Sequence, residues 1–251
     1  SLKTESDLVF LFTDDPLLIK GADESYVLFD KSEINSSKLD EEYHLFSELL
    51  EKYDGSPIAS PKAKPDDEAV ILFSSGSSGE PKRIVLTQKA LCISGSNMVK
   101  TFCWNSETLM SLGPFSMMSG VRNSMLASII SGSTIILSEK DTYIPVNAWH
   151  AAQTHDVSVI TTVPSWLELL LKIGHKLSNT SSLRQILVTG SRLKPEVKSK
   201  FTTLTGVSVD NYYGLTETGG LCLATDAFKN NDNTKVDVSW PLHTKQSQAL
   251  E

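Results

Sequence analysis

Several common signatures are missing from this sequence, and each absence narrows the field. The three cysteines, Cys92, Cys103 and Cys222, form no Cys-x-x-Cys pair and no metal-ligand spacing. That argues against a disulfide scaffold and a structural zinc site, and the odd, unpatterned number fits a reducing, cytoplasmic setting. The five histidines form no His-x-x-x-His pair, so they suggest no metal centre. Positive charge is in deficit: 23 Lys and Arg stand against 30 Asp and Glu, a net charge of -7. Neither nucleic acid nor an anionic membrane is expected as a general partner. The most apolar stretch, Met125 to Leu137, is broken by Ser128, Ser131, Gly132, Ser133 and Thr134. It is too short and polar to span a bilayer and reads as a buried helix turning into a strand. Walker A spacing is absent, as is Gly-x-Gly-x-x-Gly, which argues against a kinase, a GTPase or a dinucleotide-binding fold.

What is present is a small-residue loop, Ser74-Ser75-Gly76-Ser77-Ser78-Gly79-Glu80-Pro81-Lys82, placed after the apolar run Ala69-Val70-Ile71-Leu72-Phe73. Glycines let backbone N–H groups turn toward a ligand. Serine hydroxyls add donors and lysine a mobile charge. These are the means of wrapping a polyphosphate; the plainer reading is a flexible Ser/Gly linker. Strand-like sequence on both sides, with Ile84-Val85-Leu86-Thr87 following, favours the phosphate loop. A second segment, Asn211-Tyr212-Tyr213-Gly214-Leu215-Thr216-Glu217-Thr218-Gly219-Gly220, again follows a strand-like stretch, Val207-Ser208-Val209.

The 251 residues, 40% of them hydrophobic, suit a globular protein of one large or two small domains. Residues 8–12 and 26–29 read as strands. Residues 38–53 read as an amphipathic helix, with Leu39, Tyr43, Phe46, Leu49, Leu50 and Tyr53 near helical spacing. Asp54 to Asp67 holds Gly55, Pro57, Pro61 and Pro65 and reads as a linker, so residues 1–66 and 67–251 are expected as separate subdomains. Beyond it, strands are expected at 69–74, 107–112, 133–138, 157–162, 183–188 and 206–211. Helices are expected at 88–101, 118–131, 145–154, 165–175 and 194–204. That alternation predicts an α/β fold with a largely parallel sheet flanked by helices. Ligands in such sheets bind at the carboxyl ends of strands, where both motifs are expected to lie.

With both motifs in view, residues 68 to 242 resemble the adenylate-forming superfamily: acyl-CoA and aryl-CoA synthetases, luciferases and peptide-synthetase adenylation domains. The first motif is similar to the family's phosphate loop and the second to its Tyr-Gly-x-Thr-Glu motif. Between them, Ser182 to Ser191 resembles the strand and turn that flank adenine. The resemblance implies the large N-terminal region of the ligase fold. It implies activation of a small-molecule carboxylic acid with ATP and Mg²⁺, followed by thioester formation with CoA. By the same resemblance, Ser74, Ser75, Gly76, Ser77, Ser78, Gly79 and Lys82 would hold the β- and γ-phosphates. Tyr213 would stack on adenine, Asn211 would bond its exocyclic amine, Gly190 and Ser191 would line its other side, and Gly214 would adjoin the nucleotide. Thr216 would donate to the α-phosphate and Glu217 would coordinate Mg²⁺. Met117, Met118, Val163, Trp166 and Gly219 would line an acyl pocket, with core packing the equal alternative for the Met and Trp residues. Trp104, Trp149 and Trp240 are assigned to packing.

The pattern also departs from the family. Arg83 stands where glycine usually follows the loop lysine, and Met117 stands where a histidine is usual. The ribose-binding aspartate, the hinge and the C-terminal lid with its lysine would lie past residue 251. The expectation is therefore either part of a longer ligase or a reduced homologue. The alternative function is a non-catalytic adenylation-fold module that binds nucleotide or a partner.

Overall fold

The structure, a computed structural model, describes residues 10–13, 25–28, 43–53, 55, 62–75, 81–115, 117–137, 144–173 and 182–224. The chain divides into two compact units, Ser1–Lys62 and Ala63–Glu251. In the first, strands β1 (Phe10–Thr13), β2 (Ser25–Leu28) and β3 (Tyr43–Leu45) form a parallel sheet in that order. Helix α1 (Phe46–Tyr53) follows directly. The helix expected over 38–53 is thus shorter. Tyr43, His44 and Leu45 pair with Tyr26, Val27 and Leu28, and that ladder overrides the helical spacing.

The second unit opens with an antiparallel hairpin, β4 (Glu68–Ser75) and β5 (Pro81–Thr87). Helix α2 (Gln88–Phe102) begins at once, capped by Thr87, whose Oγ1 accepts the Ala90 N–H at 3.2 Å. The remaining strands are β6 (Thr108–Ser111), β7 (Thr134–Ile136), β8 (Val159–Thr162), β9 (Gln185–Val188), β10 (Ser208–Leu215) and β11 (Gly220–Ala224). They form one six-stranded sheet in the order β11-β10-β9-β8-β6-β7. Every pairing in it is parallel except β10 with β11. Between the strands run α3 (Met118–Gly120), a π-helical segment (Val121–Leu126), α4 (Ala127–Ser131), α5 (Pro145–Thr154), α6 (Pro164–Ile173) and α7 (Pro195–Thr205).

Period-two alternation sorts the core. Met110, Ile160, Ile186 and Val209 pack with Trp149 of α5, Leu167 of α6 and Phe201 of α7. Their neighbours Leu109, Val159 and Leu187 pack with Met98 and Phe102 of α2 and Ala127 of α4. Helices therefore cover both faces, as the alternation requires. The hairpin has a smaller cluster of its own, Leu72, Ile84 and Leu86 against Leu91 of α2 and Met118 of α3. Among the described residues no helix is long and apolar enough to cross a membrane.

Polar groups tie the amino ends of the strands. Arg184 Nε donates to Glu107 Oε1 at 3.1 Å, and Ser158 Oγ donates to the same carboxylate at 2.5 Å. Burial raises the Glu107 carboxyl, but these donors and the Arg184 charge hold it, on balance, below the usual carboxylate range. A carboxyl depressed on folding stabilises the protein above its ordinary unfolded value. That contribution is lost as pH falls through the lowered folded value. Glu107→Gln is expected to reduce unfolding free energy by about 1–2 kcal/mol at pH 7, discounted for the exposure of Arg184. The gap from wild type should narrow below about pH 4, which urea unfolding at pH 7 and pH 3 checks.

Candidate functional site

The carboxyl ends of β6, β8, β9 and β10 converge on one rim of the sheet. The ladders continue a residue past the strands: Leu112 N–H donates to the Thr161 carbonyl at 2.9 Å, and Thr189 N–H to that of Thr162 at 3.1 Å. Beyond them the rim carries Phe115 and Met117 after β6, Val163 after β8, and Gly190 and Ser191 after β9. All five are exposed. Gly190 takes φ +87°, and a Cβ there would lie 3.7 Å from Val163 Cγ1. Asn211 of β10 pairs with Val188 at the end of β9. Tyr213 shares the Asn211 face by alternation and is 55% exposed. Exposed apolar side chains and the exposed Tyr213 ring thus lie toward the carboxyl end of the sheet. Asp210, just before Asn211, is buried: burial raises its carboxyl, and the Gln185 amide donating at 2.8 Å only partly offsets this.

The second motif is not a loop after a strand ending near 211. Strand β10 runs on to Leu215, because Tyr212 and Tyr213 find partners in Ala224 and Leu223 of β11. A register shift falls between Tyr213 and Gly214. Thr216–Thr218 form a single 3₁₀ turn, and Gly219 and Gly220 reverse the chain at φ +70° and +108°. Thr218 Oγ1 donates to the Leu215 carbonyl at 2.9 Å and closes the turn. Thr216 and Glu217 sit on this turn, half-buried.

The first motif does not sit on the parallel sheet. Strand β4 pairs with β5 in a separate two-stranded sheet, in which Ser74 faces Lys82 and Ser75 faces Pro81. The carboxyl-end rule therefore applies to the second motif alone. The reason is local: the strand-like Ile84 to Thr87 pairs antiparallel with the apolar run before the loop. Gly76, Ser77, Ser78 and Gly79 lie outside the described residues, as do the side chains of Ser74 and Ser75. Lys82 is exposed on β5. Arg83 Nη2 lies 3.6 Å from Glu68 Oε2, so this departure from the family pattern has a partner on the hairpin itself.

Helix α2 connects the two motifs. It starts where β5 ends, and Ser94, on its second turn, donates its hydroxyl to the Gly219 carbonyl. A second group from the π-helical segment reaches the same place. Arg122 is 1% exposed; its Nη2 donates to Tyr212 Oη at 2.7 Å, its Nε to Asn123 Oδ1 at 3.0 Å, and its Nη1 to the Gly219 carbonyl at 3.5 Å. Asn123 Nδ2 donates to the same tyrosine oxygen at 3.0 Å. The guanidinium also lies 5.1 Å from the Tyr212 ring centre. Among the described residues no carboxylate pairs with it. Sequence reasoning missed this group. Its signal was available: Arg122 is the sole charged residue between Phe115 and Leu137.

The acyl-pocket candidates divide. Met117 and Val163 are exposed on the rim. Met118 packs in the hairpin cluster, Trp166 in the α5–α7 core, and Gly219 lies against Ser94 and Arg122. Among the described residues there is no group of three or more His, Cys, Asp or Glu able to hold a metal ion by themselves.

A family model described as AMP-binding enzyme matches residues 3–247. A sulfoacetate–CoA ligase of Cupriavidus necator is 25% identical over 176 residues, 70% of this chain and 33% of that protein. A long-chain-fatty-acid–CoA ligase of Bacillus subtilis is 24% identical over 204 residues, 79% of this chain and 36% of that protein. The chain spans about a third of the length of these curated relatives. Among solved structures, the anthranilate CoA ligase AuaEII in complex with anthranoyl-AMP superposes with a TM-score of 0.72 at 16% identity. It covers 81% of this chain and 39% of its own, a likeness of fold. The α/β architecture is accordingly that of the N-terminal domain of adenylate-forming ligases.

The turn gives a direct check on the geometry. An added Cβ at Gly220 would fall on the Arg122 guanidinium, and φ is +108°. Gly220→Ala is expected to cost about 2–4 kcal/mol in urea unfolding. Gly206→Ala, at φ +72° with open space around it, should cost about 1–2 kcal/mol.

Proposed function

The chain belongs to the AMP-binding enzyme family, and from that premise we propose that it forms the nucleotide half of an ATP-dependent carboxylate-activating ligase. In the reaction envisaged, a carboxylate oxygen attacks the α-phosphorus of ATP, the bond to the β-phosphate breaks, and pyrophosphate leaves. The acyl-adenylate then passes its acyl group to a thiol, CoA in this reading, and AMP is released. Neither step needs a protein nucleophile. What the protein supplies is alignment and charge compensation.

The observation that carries the reading is the arrangement on β10: Asn211 and exposed Tyr213 at the carboxyl rim, with Thr216 and Glu217 on the turn that follows. Tyr213 offers a ring face to adenine and Asn211 a carbonyl oxygen to its amine, with Gly190, Ser191 and Gly214 closing around the base. Thr216 donates to the α-phosphate. Lys82 and the serines and glycines from Ser74 to Gly79 hold the outer phosphates. Magnesium is commonly held by one or two carboxylates together with substrate phosphates, so the half-buried Glu217 fits that role without a larger acidic cluster. When bound, the ion would offset charge on the departing pyrophosphate. Met117 and Val163 offer an apolar wall to the body of the acid. That two curated relatives act on acids as different as sulfoacetate and long-chain fatty acids leaves the acid itself open.

One observation favours a second reading, a module that binds nucleotide without catalysis. Met117, on the rim, carries a thioether that cannot donate a hydrogen bond to a carboxylate. Pyrophosphate exchange separates the two: saturable ATP binding without exchange for any acid supports the module.

Calorimetric titration tests the site. Mg·ATP should bind saturably and more tightly than AMP. Lys82→Ala should weaken ATP more than AMP, because AMP lacks the outer phosphates; equal losses would remove Lys82 from this role. Tyr213→Ala should weaken both by ~1–3 kcal/mol, the scale of base–aromatic stacking. An unchanged affinity would exclude stacking at that residue.

A further inference from the structure

The turn that carries Thr216 and Glu217 is intrinsically loose. Gly214 lies at the register shift before it, and Gly219 and Gly220 follow it in left-handed conformations. Both ends are nevertheless fixed from behind the sheet. The Tyr212 hydroxyl, at the entry, accepts from Arg122 and Asn123. The Gly219 carbonyl, at the exit, accepts from Arg122 and Ser94. A single guanidinium therefore spans entry and exit. Its planar fork sets directions that a point charge would not.

The segment carrying Arg122 is built for this. It is π-helical over Val121–Leu126, and the Ala127 N–H donates to the Arg122 carbonyl five residues back. The wider turn lets Val121, Arg122, Asn123 and Ser124 all be buried in succession. Such bulges recur at functional sites because they aim side chains that a regular helix would turn away. A buried cation facing neutral acceptors is costly, and apolar packing would fill the same volume without that cost.

We propose that Arg122, with Asn123 and Tyr212, is a positioning unit for the proposed nucleotide site: it holds the 212–220 segment so that Glu217 meets the metal-bound phosphates. Arg122 itself does not touch the nucleotide. The proposal rests on the reading of Glu217 given above.

The test compares Arg122→Met, Tyr212→Phe and the double variant, with Arg122→Lys as the conservative change, in titrations of ATP with Mg²⁺ and of ATP in EDTA. Tyr212→Phe serves as the mildest lesion should Arg122→Met fail to fold. Arg122→Met and Tyr212→Phe are each expected to weaken Mg·ATP by about tenfold or more and ATP in EDTA by less than about threefold. The double variant should be no worse than Arg122→Met, and Arg122→Lys should recover only part of the loss. Equal losses with and without Mg²⁺, or no loss, would overturn the proposal, since a merely structural group has no reason to act through the metal. If the wild-type chain binds no nucleotide, the functional reading fails separately. Hydrogen exchange then decides the positioning unit. Faster exchange at the 214–219 amides in Tyr212→Phe, with β8 and β9 unchanged, supports it, and unchanged exchange overturns it.

Discussion

Strand β10 belongs to two ladders at once, and the candidate site depends on that double membership. Its first half, through Asn211, pairs in parallel with β9; its second half, from Tyr212 on, pairs antiparallel with β11. The parallel half brings the strand to the carboxyl rim, where Gly190, Ser191 and Val163 also emerge. The antiparallel half carries it past that rim and obliges it to turn, and Thr216 and Glu217 occupy the turn. Adjacent tyrosines then take opposite faces. Tyr212 is buried among Phe102, Trp104 and Leu187, and Tyr213 is presented outward.

The charge distribution at the two ends of the sheet follows different rules. At the amino ends, Arg184 meets Glu107 directly, with Ser158 completing the carboxylate's bonding. That is a conventional exchange of water for a charge-assisted hydrogen bond. Behind the carboxyl rim, Arg122 is buried against a phenol, an amide and a main-chain carbonyl, with the Tyr212 ring adding a further, weaker attraction. Neutral acceptors compensate lost hydration less well than a carboxylate would. Such an arrangement persists where the directions of the hydrogen bonds matter.

The sheet was legible in the sequence wherever a strand is buried on both faces. Val159–Thr162 and Gln185–Val188 are buried at every position, and short apolar runs between helices announce such strands. The helices between the strands were legible from the alternation itself, and α5 and α7 each start on a proline, Pro145 and Pro195, which suits the first helical position. The double role of β10 was not legible. Its extension needs β11 as a partner, and nothing local in Tyr212-Tyr213 says that Ala224 and Leu223 will lie opposite. The same holds for β3, where a three-residue pairing overrode a helical pattern, and for the hairpin, where the strand before the first motif left the main sheet. Of the site, residue types and order were visible in the two motifs. The supporting shell was not, because Ser94, Arg122 and Asn123 come together with Tyr212 and Gly219 only through the packing of α2 and the π-helical segment against β10 and β11.

The most direct measurement is hydrogen exchange of the whole chain with and without saturating Mg·ATP, read segment by segment. The expected result is added protection at 211–219 and across 74–83, with little change at the amino-end group of Glu107, Ser158 and Arg184. Protection confined to other segments, or binding that leaves 211–219 unchanged, would contradict a nucleotide site at the carboxyl rim.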